Sequence, residues 1–107
     1  MSEKFRSPFG DIAPALAHYT DEVLFGDLWK RDALSPRDRS LVTVTALIAG
    51  YRINELPFHV KYALGNGVTR EEIVEIITHL AFYAGWPTAG TAVGIVRKVF
   101  AEIDAGE

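Results

Sequence analysis

The chain has 107 residues, enough for one domain whose core buries roughly two thirds of the unfolded surface. Lys and Arg number 11 against 14 Asp and Glu, a net charge of −3, which argues against a nucleic-acid surface; the densest basic spots, Arg37/Arg39 and Arg97/Lys98, are short. With no cysteine, disulfides, thiolate catalysis, zinc–thiolate sites, iron–sulfur clusters and CxxC redox chemistry are all excluded.

The first ten residues read as a loose arm, without the apolar core of a secretion signal. From Ala13 to about Arg31, Leu16, Tyr19, Val23, Leu24, Leu28 and Trp29 recur at spacings near three and four, which predicts one or two helices. Gly26 marks a break or a close contact there. Ser35-Pro36-Arg37-Asp38 is a helix start, with Ser as cap, Pro at the first position and an acid three residues after the cap. The helix it opens, to about Gly50, is apolar nearly all round, the pattern of a buried helix.

Asn54 is expected to cap a shorter helix over Glu55–Leu64, where Pro57 falls in the first turn. Gly65-Asn66-Gly67 ends it with residues that accept positive φ. Thr69 and Glu72 form a capping box, and Ile73, Ile76, Ile77, Leu80, Ala81 and Ala84 then trace one helical face. Gly85-Trp86-Pro87 reads as a turn, followed by a final helix marked by Ala89, Ala92, Val93, Val96, Val99, Phe100 and Ile103. No segment sustains period-two alternation, so the predicted fold class is all-α, a single domain of about five or six helices.

No apolar run reaches the roughly 18 residues of a membrane span. A soluble, cytoplasmic protein without membrane or nucleic-acid partners is expected. A hydrophobic fraction of 49% is high for so small a domain, and suggests that other subunits cover part of the surface.

Arg52, Glu55, His59 and Tyr62, spaced three, four and three, form one helical stripe. A carboxylate four residues before an imidazole can accept its N–H, fix its tautomer and raise its pKa, which makes Glu55–His59 a candidate proton-transfer pair. The same spacing also describes a solvated pair worth a few tenths of a kcal/mol to a helix. His79 and Tyr83, four apart, and Trp86 border the next apolar face, either as a pocket wall or as aromatics that fill space. Arg39 could hold a substrate carboxylate bidentately, or be solvated, or meet another subunit. His18 reads as surface. Nucleotide-binding and hydrolase signatures are missing, and Glu55 with His59 supplies two metal ligands without an evident third.

Three segments together resemble the carboxymuconolactone decarboxylase family, related to the alkylhydroperoxidase-type helical fold. They are Leu34-Ser-Pro-Arg-Asp-Arg-Ser-Leu-Val-Thr-Val44; Asn54-Glu-Leu-Pro-Phe-His59 with Ala63-Leu-Gly-Asn-Gly-Val-Thr-Arg-Glu-Glu-Ile73; and His79-Leu-Ala-Phe-Tyr-Ala-Gly-Trp-Pro87. The resemblance implies a compact helical subunit built around a two-helix hairpin, assembled into trimers or hexamers. The peroxidase branch of that fold carries a CxxC, a His four residues later and an upstream Glu. Those positions fall here on Arg52, Glu55, His59 and Ser40, so the likeness is to the cysteine-free decarboxylase branch.

The resemblance further implies cofactor-independent decarboxylation of a small unsaturated lactone carboxylate in aromatic-compound degradation. The substrate is its own electron sink, so no cofactor or metal is expected. His59, oriented by Glu55, would deliver the proton, and Arg39 or Arg52 would hold the remaining carboxylate. Tyr62, His79, Tyr83 and Trp86 would shape the pocket. Two other classes use the same residues: a non-catalytic helical oligomer that binds an aromatic-derived acid, and an isomerase of the same fold.

Overall fold

The computed structural model describes residues 7–106, which contain no strand. They divide into two compact units, with the division between Pro36 and Arg37. Residues 1–6 of the expected arm lie outside the described residues.

In the first unit, the backbone N–H of Ser7 donates to Asp21 Oδ1 at 2.8 Å, and Phe9 accepts from Ile12 and Ala13 in a turn. Helix α1 (Pro14–His18) starts on a proline that suits a first helical turn. It widens at once into a π turn over Tyr19–Leu24, closed by the Phe25 N–H to the Thr20 carbonyl at 3.0 Å. A 3₁₀ turn follows at Leu28–Lys30, and Trp29 is buried and stacked on Phe25. The helix predicted here is thus broken into short pieces. Gly26 admits the close turn between the π and 3₁₀ pieces, where a Cβ would lie 2.5 Å from the Glu22 carbonyl oxygen.

The second unit holds four helices and the main core: α2 (Pro36–Ala49), α3 (Leu56–Gly65), α4 (Arg70–Ala84) and α5 (Trp86–Asp104). Val44, Ile48, Leu56, Val60, Ile73, Ile77, Val96 and Val99 belong to one buried cluster. Both α3 and α4 pack on α5. The start of α4 meets the end of α5, where Arg70 pairs with Asp104 at 2.6 Å and lies over the Phe100 ring, so the two helices form an antiparallel hairpin. Lys61 on α3 reaches Glu102 on α5 at 3.3 Å.

Helix α2 departs from expectation. It buries only every fourth residue, Ser40, Val44 and Ile48, and leaves Val42 61% exposed. Buried Ser40 accepts a hydrogen bond from Asn66 Nδ2 at 3.0 Å, which satisfies a polar group on the inner stripe. Arg37 pairs with Glu72, joining the start of α2 to the start of α4.

The turns explain where the helices stop. After α3, Val68 N–H reaches the Ala63 carbonyl and Gly67 N–H that of Leu64, a Schellman ending with Gly67 at φ +101°. The end of α2 has the same pattern, Arg52 to Leu47 and Tyr51 to Ile48, but there Tyr51 takes the positive φ of +59°. Helix α4 begins on the predicted capping box: Glu72 N–H donates to Thr69 Oγ1 at 3.1 Å, and Thr69 N–H to Glu72 Oε1 at 2.9 Å.

Two boundaries differ from the sequence reading. The N-cap position of α3 is Glu55, not Asn54, and it makes no side-chain cap bond. Trp86 and Pro87 belong to α5, whose first turn tolerates proline, so Gly85 alone joins α4 to α5. Its φ of +107° with ψ of 147° lies where only glycine is comfortable.

Candidate active site

The Schellman turn at Tyr51 redirects the chain, and residues 52–55 lead into α3. Arg52 and Glu55 are exposed on this lead-in, and Glu55 sits at the N-cap with αR geometry. One turn later, His59 is half-buried and its Nδ1 is fully buried. Its ring meets Phe58 edge-on, with centroids 4.9 Å apart, and Tyr62 at 6.1 Å. Phe58 and Tyr62 stack on each other at 5.6 Å and 19°.

Burial lowers the His59 pKa from its ordinary value of 6.5, and the Glu55 carboxylate raises it; burial is the larger effect, so the net direction is down. From its spacing, the carboxylate could raise the pKa. It does so, but by less than burial lowers it, because Glu55 stands in solvent while the imidazole is partly sheltered. The result is a neutral imidazole near neutral pH, ready to take a proton when negative charge is brought beside it.

The other predicted residues fall into separate groups. Arg39 is half-buried on α2, with its Nε enclosed. His79 and Tyr83 stack on α4, with centroids 4.7 Å apart and planes at 20°. Trp86 meets Phe82 edge-on at 4.9 Å. Phe82, Tyr83 and Trp86 are 74%, 78% and 63% exposed. His79 is the only predicted site residue that lines the groove between α2 and α4, a space of about 310 Å³ over Leu41, Thr45, Ile76 and Leu80 with Glu72 and Glu75 at its rim. The groove between α4 and α5, about 520 Å³, takes in none of them.

The structure therefore brings Glu55, His59 and Tyr62 together, and separately His79 with Tyr83. Phe58 and Phe82 were missed by the sequence reading. The four-residue spacing of Phe58 to Tyr62, which stacks the two rings on one face of α3, was the signal for Phe58; Phe82 meets Trp86 edge-on across the Gly85 joint, which helical spacing does not describe. Among the described residues, no group of three His, Asp or Glu side chains could hold a metal ion, and no helix is long and apolar enough to cross a membrane.

A helical hairpin on a shared core, with a carboxylate and a half-buried histidine at the head of the preceding helix, fits the alkylhydroperoxidase-like class of fold. Residues 14–98 match the carboxymuconolactone decarboxylase family, and the chain belongs to that family.

The chain is 35% identical over 93 residues to a 4-carboxymuconolactone decarboxylase of Acinetobacter baylyi, covering 87% of this chain and 69% of that protein. It is 36% identical over 87 residues to a nitrosuccinic acid decarboxylase of Metarhizium robertsii, covering 80% of this chain and 61% of the relative. An uncharacterised 15.0 kDa protein of Paracoccus denitrificans is 33% identical over 95 residues, covering 87% of this chain and 71% of the relative.

Proposed function

We propose that this chain is a carboxy-lyase that removes CO2 from a small unsaturated lactone bearing two carboxylates, with His59 as proton donor and Glu55 as its orienting base. The observation that carries the reading is the half-buried His59 one helical turn after Glu55. The names of two relatives support the reaction class. Their two acids share a pattern: one carbon holds the departing carboxylate, a CH2–carboxylate arm and an electron-accepting group, either a conjugated lactone or a nitro group.

That pattern sets the protein's task. The C–C bond to the carboxylate breaks and CO2 leaves. The electron pair passes through the conjugated ring to the lactone carbonyl oxygen. Carbon then takes a proton from the His59 imidazolium, and solvent reloads the ring. The neutral resting state of His59 suits this order, because an anionic substrate raises its pKa and charges it where it is needed. Arg39 or Arg52 holds the carboxylate arm, and Tyr62, His79, Tyr83 and Trp86 shape the space around the ring.

The test is loss of ultraviolet absorbance of 4-carboxymuconolactone with the wild-type protein and His59→Ala in parallel. Turnover should fall by roughly 10²–10⁴-fold in the variant, the usual worth of a general acid. Turnover that survives moves the proton to His79 or Tyr83. A folded wild-type protein without turnover removes this reaction.

A further inference from the structure

The groove of about 520 Å³ between α4 and α5 contains none of the residues assigned to decarboxylation. Ile77 and Val96, both buried, lie at its base, while Val74 and Val93 line it and are 50% and 40% exposed. At one end Arg70 is fully engaged. It donates to both carboxylate oxygens of Asp104, at 3.2 and 2.6 Å, and lies 4.7 Å over the Phe100 ring. Arg97 has no such partner: among the described residues it makes no ion pair. A guanidinium left unpaired beside exposed valines is a hold for a carboxylate that carries an apolar body.

We propose that this groove binds an amphiphilic monocarboxylate, a medium-chain fatty acid in its ionised form, with the carboxylate on Arg97 and the alkyl chain over Val74 and Val93. Three observations select that occupant. The first is the sign of the charge. The groove's charged residues are Arg70, Arg97 and Asp104, a balance of +1 on a chain of net charge −3, whereas the α2–α4 groove carries Glu72 and Glu75 and no Lys or Arg. An anion is therefore drawn to the α4–α5 side. The second is the number of charges. With Asp104 holding Arg70, one cation remains, and one carboxylate neutralises it. A second carboxylate would lie against Asp104 or on valine, where it would lose water without gaining a partner. The dianionic lactone is thus a poor fit, and this site is independent of the reaction proposed above. The third is shape. Helix α4 rises about 12 Å between Arg70 and Thr78, longer than a small ring and close to an extended medium-chain acid. Thr78 Oγ1 already donates to the Val74 carbonyl at 3.0 Å, so it offers the ligand no second anion hold.

The experiment titrates the full chain with octanoate below its micelle concentration, followed by calorimetry and by amide NMR shifts. Octanol and octylamine, with the same chain length, are the neutral and cationic controls. Octanoate should bind saturably at one site, with shifts concentrated at Val74, Thr78, Val93 and Arg97. Both controls should bind at least about tenfold more weakly, the usual worth of a charge-assisted hydrogen bond. Arg97→Gln should weaken octanoate by about the same factor and leave octanol unchanged. Its melting temperature should stay that of the wild type, because Arg97 is exposed and unpaired. Added salt should weaken octanoate and spare octanol.

Octanol that binds as tightly as octanoate would overturn the proposal and leave a plain apolar patch. Equal octanoate affinity in Arg97→Gln, shifts confined to other helices, or the lack of saturable binding would overturn it too. Shifts at the same four residues that grow with protein concentration, with a rise in sedimenting mass and no response to octanoate, would give the groove to another copy and reject the acid. None of these outcomes depends on whether the protein turns over 4-carboxymuconolactone.

Discussion

Helices α3 and α4 carry the same pairing, a histidine with a tyrosine three or four residues on, and treat it differently. On α3, His59 is half-buried, its pKa is pushed down, and the N-cap position ahead of it is given to Glu55, which makes no cap bond. On α4, the N-cap is a complete capping box, the inner face is fully packed, and His79 and Tyr83 stand exposed. The start of α3 thus spends a stabilising position on electrostatics, whereas the start of α4 is built for stability. One imidazole is thus tuned by burial and the other is left in solvent.

The widest gap between the two sides of α4 should appear on truncation. Ile73 is wholly buried, so Ile73→Ala should cost about 2–5 kcal/mol in chemical denaturation. Phe82→Ala, on the outer side, should cost the isolated subunit less than about 0.5 kcal/mol. Equal losses would mean that the outer face is part of the subunit's own core.

A smaller effect separates the two helix starts. Thr69→Ala removes the cap of α4 and should cost about 1 kcal/mol. It also loosens Glu72, whose carboxyl is held below its ordinary range first by the Thr69 backbone N–H and then by Arg37. Glu55→Gln should leave the melting temperature nearly unchanged, because no cap bond is lost.

Glu55→Gln should act on pH dependence instead. Without the carboxylate, the His59 pKa falls further, so the protonated donor is lost at lower pH and the alkaline limb of the rate profile moves down. Stability follows the same group. Folded His59 resists a proton that the unfolded chain accepts near pH 6.5, so its effect is absent well above that value. Stability falls as pH drops from there through the lowered folded value, and Glu55→Gln should deepen that loss. A pH-independent melting temperature across this window would show that His59 is solvated.

Features that depend on neighbouring residues were legible in the sequence. Thr69 with Glu72 and the glycine after α3 announce their turns through local hydrogen bonds, and the buried stripe of α4 follows its spacing. Asn54 was a poor guide because the chain is still turning away from the Tyr51 ending, and Glu55 reaches the cap position first. Trp86-Pro87 looked like a turn because proline often breaks helices, yet Gly85 alone makes the reversal and Pro87 fits the first turn of α5. The Arg52-to-Tyr62 stripe was visible as spacing. The sign of the His59 shift was not, since it depends on how much of the ring the fold shelters.

The one-residue joint at Gly85 bears on how the molecule forms. With almost no loop to close, α4 and α5 can pair quickly from contacts close in sequence, a low-contact-order step. Yet α5 is also the helix on which α3 packs, and it is the last of the five to be synthesised. During translation, α3 must therefore wait with its apolar face uncovered until the hairpin closes, so the ribosome-bound chain is most exposed to aggregation just before its core exists.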